Sequence, residues 1–350
     1  MANVTYLIGA GASAGKRDEK GNITEGLPCV YEIPSRILNI INILKKYTIP
    51  DNFWNQPLLN LGTKADWEKA QKELLSLFIQ LHMRCLEHAT IDTYAKKLKL
   101  RGNIQEFKHL EQILTLFFLF EQITSKPDSR YDTFLANILE TKFHLPKHIK
   151  ILSWNYDSQI ELAYSEYNQQ NDLLIGSKRD IYAQDWEIIK INGTATFHQQ
   201  NHSLAHIRKE LLQELQKVKN DPISVHVAEM RVYLQYFIYL YKLYLAGRKD
   251  NTNLSFSFDY DFPSDCVFQY INGIIGKTDA LVIIGYTFPF FNRDIDRKML
   301  QDIQPDTKIY IQDLNPERIK QSLMAVLPDF PEEQIFLRKD VDQFFLPPEL

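Results

Sequence analysis

The chain has 350 residues, 45% of them hydrophobic and 24% charged, with a formal net charge of −4. This is the balance of a soluble globular protein with room for one large domain or two modest ones, and without a basic run it excludes a surface devoted to gripping nucleic acid. Three cysteines, Cys29, Cys85 and Cys266, form no C-x-x-C pair, which excludes a four-cysteine zinc site and makes a disulfide framework unexpected. No apolar run approaches the ~20 residues that span a bilayer. The first strand starts too early to leave a signal peptide, so a cytoplasmic location and no membrane contact are expected.

Taken in chain order, Thr5 to Ser13 reads Thr-Tyr-Leu-Ile-Gly-Ala-Gly-Ala-Ser, a buried strand entering a glycine turn. Gly9 suits the tight turn and Gly11 a close approach to pyrophosphate, with a following helix aiming its N–H groups at the phosphates. Ala14 completes a G-x-G-x-x-A spacing, although the acidic residue expected ~20 positions on in ordinary dehydrogenases is hard to place. Residues 35–145 read as a helical insertion, too long for a simple crossover. Within it, Asp66 is placed to cap one helix and another covers Ile104 to Ile123.

Four further apolar, β-branched runs follow: His148–Ser153, Glu187–Ile191, Ala280–Ile284 and Lys308–Ile311. Each ends in a polar loop, and such runs suit a parallel sheet covered on both faces, whose ligands sit at the carboxyl ends of the strands. A second helical segment, 201–264, contains a block from Leu204 to Ala246 with Gly247 as its C-cap. Its stretch from Met230 to Leu245 is apolar or aromatic on nearly every side, which fits either a core helix or a self-association surface. The final Pro-Pro-Glu-Leu is expected to be loose. The resulting layout is an α/β core from 1–34, 146–200 and 265–350, a Rossmann-like parallel sheet with large helical insertions.

Four segments, in order, resemble the sirtuin fold, and within it the bacterial sirtuin-like NAD-cleaving proteins of antiphage defence. Gly9-Ala10-Gly11-Ala12-Ser13 resembles the phosphate turn, and Gly26-Leu27-Pro28 the cofactor-binding segment after it. Ser153-Trp154-Asn155-Tyr156-Asp157 is similar to the T-x-N-x-D motif. Gly285-Tyr286-Thr287-Phe288, with Asp294 and Asp296 downstream, is similar to the G-Y-S-F loop of the bacterial branch. Thr90-Ile91-Asp92-Thr93-Tyr94 resembles a weaker S-I-D segment of the same branch. The resemblance implies NAD as substrate or ligand, no zinc, and cleavage to nicotinamide and ADP-ribose as an antiphage or toxic effector. It also implies control by assembly, as a homo-oligomer or with a partner such as a HerA-type ATPase.

The chemistry of the residues agrees with that implication. Cleavage passes through an oxocarbenium-like centre, so the site must position the ribose and deliver water. An asparagine amide both donates and accepts, which suits Asn155 to orient a ribose hydroxyl or the water; a turn-forming asparagine is the plainer alternative. Asp157 is placed to hold the loop or a ribose hydroxyl. The family's next motif is a His-Gly pair whose histidine acts as general base, whereas this chain has Asn192-Gly193. Asn192 can hydrogen-bond there but cannot take a proton near neutral pH. Three explanations stay open: reduced activity in a protein that mainly binds nucleotide, substitution by His198, or an inactivating replacement at position 192. Asp313 and Asn315 stand where the family reads the adenosine ribose, and equally where a helix before Pro316 needs its N-cap. The rivals to a glycohydrolase are a catalytically silent nucleotide-binding subunit of a defence complex and, less favoured, a dinucleotide-dependent oxidoreductase.

Overall fold

The computed structural model describes residues 1–49, 62–140, 144–167, 175–177, 187–196, 204–219, 225–246, 254–256, 258 and 266–350. They divide into two compact units: 1–27, 127–194 and 255–350 form one, and 28–126 with 195–254 the other.

The first unit holds the strands. These are β1 (Val4–Ile8), β2 (Lys16–Arg17), β3 (Ile23–Glu25), β4 (Ile149–Ser153), β5 (Ile175–Ser177), β6 (Ile188–Lys190), β7 (Ala280–Ile284), β8 (Lys308–Gln312) and β9 (Ile335–Arg338). Seven of them form one sheet in the order β5-β6-β4-β1-β7-β8-β9, with every neighbouring pair parallel. The remaining two, β2 and β3, make a small antiparallel hairpin just after the first glycine turn. From β1 the chain passes to β4 on one side, and from β7 it passes to β8 on the other. The topological switch therefore falls between β1 and β7, where ligands of open α/β sheets bind.

Both faces of the central strands are buried, which is why their sequences are apolar at both alternations. Leu7, Leu152, Ile189, Leu281, Ile283, Ile309 and Ile311 share one face, with α9 (Cys266–Ile275), α10 (Arg293–Leu300) and α11 (Pro316–Met324) supplying Val267, Ile271, Met299 and Ile319. Val4, Tyr6, Ile8, Ile149, Ile151, Val282 and Tyr310 share the opposite face with residues of α5 (Ser129–Ile138) and α6 (Gln159–Tyr167).

Phe344 also packs on this second face, against Tyr131 and Phe134. The last residues of the sequence are not loose as expected: Lys308 Nζ reaches Glu349 at 2.8 Å, and the Tyr6 hydroxyl donates to Phe345 O.

The second unit contains α1 (Ile33–Lys46), α2 (Lys64–Glu87), α3 (Ile91–Leu100), α4 (Ile104–Thr124), α7 (Leu204–Lys219) and α8 (Val225–Ala246). Thr63 caps α2, with Asp66 closing a capping box three residues later, so the N-cap is Thr63 and the expected capping residue Asp66 sits within the first turn. Phe237 of α8 meets Phe78 and Phe120 at centroid distances of 5.1 and 4.2 Å. Tyr236, Tyr239 and Tyr241 are buried beside it. The aromatic helix is thus largely core, with only Tyr233 and Tyr244 among its aromatics left half-buried. Half-buried Arg36 pairs with buried Glu121 at 2.8 Å.

The boundaries differ from those expected. The helix α5 belongs with the sheet because its Tyr131, Phe134 and Leu135 fill the second sheet face. The helix α1 belongs with the other helices because it packs on α2. The two helical stretches then make one unit rather than two.

Candidate functional site

At the carboxyl ends of β1 and β7 two glycine loops meet backbone to backbone. Gly9 N donates to Ile284 O and Gly11 N to Gly285 O, both at 3.0 Å. A Cβ on Gly9 would lie 2.7 Å from Gly285 O, and one on Gly11 2.7 Å from Gly285 Cα. Gly285 itself has φ +60°, a conformation for which glycine is favoured. The missing side chains of Gly9 and Gly11 are therefore accounted for by the approach of the second loop.

Nor does an α-helix follow the first turn. A four-residue 3₁₀ turn, Ala10–Ser13, leads through Gly15 into the β2–β3 hairpin. Gly9, Gly11 and Ala12 all spend their N–H groups on protein carbonyls, leaving exposed Ala10 at the tip. The helix expected to aim its N–H groups at phosphate is absent at this point.

Asn155 lies beside this turn, buried. Its Nδ2 donates to Gly9 O at 2.9 Å and to Ser13 Oγ at 3.1 Å. Ser13 Oγ also meets the Tyr131 hydroxyl at 3.0 Å, and Ser13 O accepts from Gln159 Nε2 at 2.8 Å. Beneath them Arg130 donates to Gly11 O and Ala12 O at 3.2 Å each and pairs with Asp128 at 2.6 Å. Burial drives the Tyr131 phenol well above its ordinary pKa, so it stays neutral and can donate.

Asn192 follows β6. Its Nδ2 donates to Trp154 O at 3.0 Å, which ties this loop to the one carrying Asn155. Its Oδ1 is buried and has no partner, on a residue only 8% exposed. Such an orphaned acceptor costs free energy unless something donates to it. Lys190, 1% exposed, donates from Nζ to Asp157 O at 2.5 Å and pairs with Glu161 at 2.9 Å. Burial raises the Glu161 carboxyl even against that ammonium.

Trp154 stacks on Tyr286 with centroids 5.4 Å apart. The Tyr286 hydroxyl donates to the Asp296 carboxyl group at 2.9 Å and accepts from Asn292 Nδ2 at 3.0 Å. Asp296 is fully buried, which pushes its carboxyl well above the usual range. Tyr286 is thus a packing residue, whereas Thr287 beside it is exposed.

Contacts therefore join Gly9, Gly11, Ser13, Asn155, Asn192, Gly285 and Tyr286 at one end of the sheet. Other residues singled out in the sequence have local duties. Asp157 Oδ1 accepts from Gln159 N at 3.1 Å. Asn315 caps α11 through Arg318 N, and Asp313 Oδ1 accepts from Asn315 N at 2.9 Å. Gly26, with φ +82°, lets the hairpin close on Ala14 and Gly15. Pro28 opens the second unit, and His198 lies outside the described residues. The sequence did not single out Arg130, Asp128, Tyr131, Gln159 or Lys190. Its one usable signal was Pro127-Asp128-Ser129-Arg130, which reads as an ordinary helix cap.

Among the described residues no three His, Cys, Asp or Glu side chains gather as a metal set, and no helix is long and apolar enough to cross a membrane. No family model matches the chain, and no curated protein matches it.

Proposed function

We propose that the chain binds NAD at the β1/β7 crevice and cleaves its nicotinamide–ribose bond, as a glycohydrolase of the sirtuin-like kind acting in the cytoplasm. The observation that carries this reading is the buried, unpartnered Oδ1 of Asn192, one strand away from Asn155. A ribose hydroxyl or a water molecule would donate to it. Bond cleavage releases nicotinamide with the bonding electron pair. Water adds to the ribose carbon left behind, and its proton leaves to solvent, since an amide accepts a hydrogen bond but not a proton. Without a general base the rate is about 10²–10⁴ below that of a site with one.

A second reading, a silent nucleotide-binding subunit, is favoured by the histidines. His144 and His148, the described ones of this unit, precede β4 at the end away from the site, with His148 O accepting from Val4 N at 2.8 Å. If the protein is an antiphage effector, restraint by assembly with a second copy or a HerA-type ATPase completes the proposal, through residues other than the buried aromatics of α8.

The test is nicotinamide release from NAD by the protein, by Asn192→His and by Asn155→Ala, with melting curves to check folding. Slow release that rises in Asn192→His and vanishes in folded Asn155→Ala supports the glycohydrolase. NAD binding without release from any version supports the silent subunit. Absence of NAD binding refutes both.

A further inference from the structure

The first glycine turn, which the sequence offers as a phosphate cradle, has spent the N–H groups of Gly9, Gly11 and Ala12 on carbonyl oxygens. A dinucleotide brings two negative charges to this end of the sheet, and they need another partner. Two buried cations nearby are already neutralised, Arg130 by Asp128 and Lys190 by Glu161.

Arg293 is different. It is the first residue of α10, a position where a cation is opposed by the helix dipole. Its guanidinium has no hydrogen bond or ion pair among the described residues, and its Nε is buried without an acceptor. Neither carboxylate in the first turn of the same helix pairs with it; Asp296 instead takes the Tyr286 hydroxyl.

What Arg293 does touch is an aromatic ring. Its Cζ lies 5.0 Å from the centroid of Phe290, a side chain left 74% exposed. A guanidinium set against a ring in this way spends no N–H group on the contact, and phosphate oxygens match such a fork bidentately. The head of the helix is also held in place. Phe288 adopts φ +49°, and Asn292 Nδ2 bonds to the Tyr286 hydroxyl that belongs to the stack on Trp154. An unpaired cation at the head of the helix that follows β7, next to the Asn292 that bonds to Tyr286, fits an anion supplied from outside the chain.

We infer that Arg293, mounted on Phe290, is the phosphate-binding residue of this crevice, and that its ligand is the diphosphate of a nucleotide. This rests on the nucleotide reading of the site but not on bond cleavage. Binding of adenosine, ADP and ADP-ribose, measured by calorimetry at two salt concentrations, tests it. The protein should bind ADP and ADP-ribose more tightly than adenosine, with the advantage shrinking as salt rises.

Arg293→Gln should weaken ADP and ADP-ribose about 10–100-fold, the scale of one charge-assisted hydrogen-bonded pair, and leave adenosine unchanged. Arg293→Lys keeps the charge but loses the fork, and should fall between; it also guards against a Gln variant that fails to fold. Arg338→Gln removes a cation that sits over Tyr310 and Phe345 on β9 instead, and should change nothing.

The inference is overturned if ADP-ribose binds folded Arg293→Gln as tightly as the parent, if adenosine weakens equally, or if the parent shows no preference for the phosphorylated ligands. Loss of ADP affinity in Arg293→Gln by a protein that never releases nicotinamide would sink the glycohydrolase alone. Nicotinamide release with ADP-ribose affinity unmoved in Arg293→Gln would sink this inference alone.

Discussion

The contact between the two glycine loops makes a quantitative demand on position 285. A Cβ on Gly285 would lie 2.5 Å from Gly11 Cα and closer still to Ala12 N, in a residue held at φ +60°. Two costs follow for Gly285→Ala. The left-handed backbone costs roughly 1–2 kcal/mol for a residue with a side chain. Overpacking against backbone, which cannot rotate away, costs about another 1–3 kcal/mol, for a total of about 2–5 kcal/mol. Gly21 provides the internal comparison, because it has φ +80° but open space where its Cβ would point; Gly21→Ala should lose only the first term. Urea unfolding followed by circular dichroism and tryptophan fluorescence would give both values. The separation between the two variants measures the loop contact itself. If Gly285→Ala is no worse than Gly21→Ala, the two loops do not meet as described and the account of Gly9 and Gly11 falls with them.

Three further outcomes can be checked in the same way. Arg130→Met strands the Asp128 carboxylate, whose side chain is fully buried, and should cost about 3–5 kcal/mol in urea unfolding; a loss below 1 kcal/mol would mean the pair is wetter than its burial indicates. Asp296 holds its proton in the native state well above the ordinary value of 3.8, so the parent's stability should fall as pH climbs from there toward the raised value. Asp296→Asn removes that slope, and should be at least as stable as the parent at pH 7 relative to its standing at pH 4; the opposite trend in thermal melts would contradict the buried-acid reading. Truncation after Leu346 removes Glu349 and its pairing with half-exposed Lys308, and should shift stability by no more than about 1 kcal/mol, as read from the urea midpoint.

The strands nearest the site were the most legible part of the chain. Val4–Ile8 and Ala280–Ile284 carry apolar residues at both alternations because both sheet faces are covered, and the observed strands have those same bounds. The three-residue β5 and the edge strand β9, with its Ile-Phe-Leu-Arg, are too short or too mixed to signal strand by periodicity. Asn155, Asn192 and Gly285 were visible as polar or glycine positions at strand ends. What the glycines accommodate was not, because a local sequence cannot say which distant backbone will approach it. Arg130 escaped notice for a related reason: its acceptors at Gly11 and Ala12 lie more than a hundred positions earlier. The asparagine at 315 illustrates the converse, a residue whose local reading as a helix cap is what the structure contains.

The sheet order also dictates when this protein can become itself during synthesis. Strand β1 is completed by residue 8, yet its two neighbours, β4 and β7, are centred near residues 151 and 282. At about 5–20 residues per second on the ribosome, the first strand waits roughly 7–30 s for one partner and twice as long for the other. Throughout that interval the Val-Thr-Tyr-Leu-Ile segment has no permanent neighbour on at least one edge. Chains halted before β7 is made would keep that edge open, as substrates for chaperones or as seeds of aggregation. The crevice between β1 and β7 comes into existence only after Ile284 has been added to the chain.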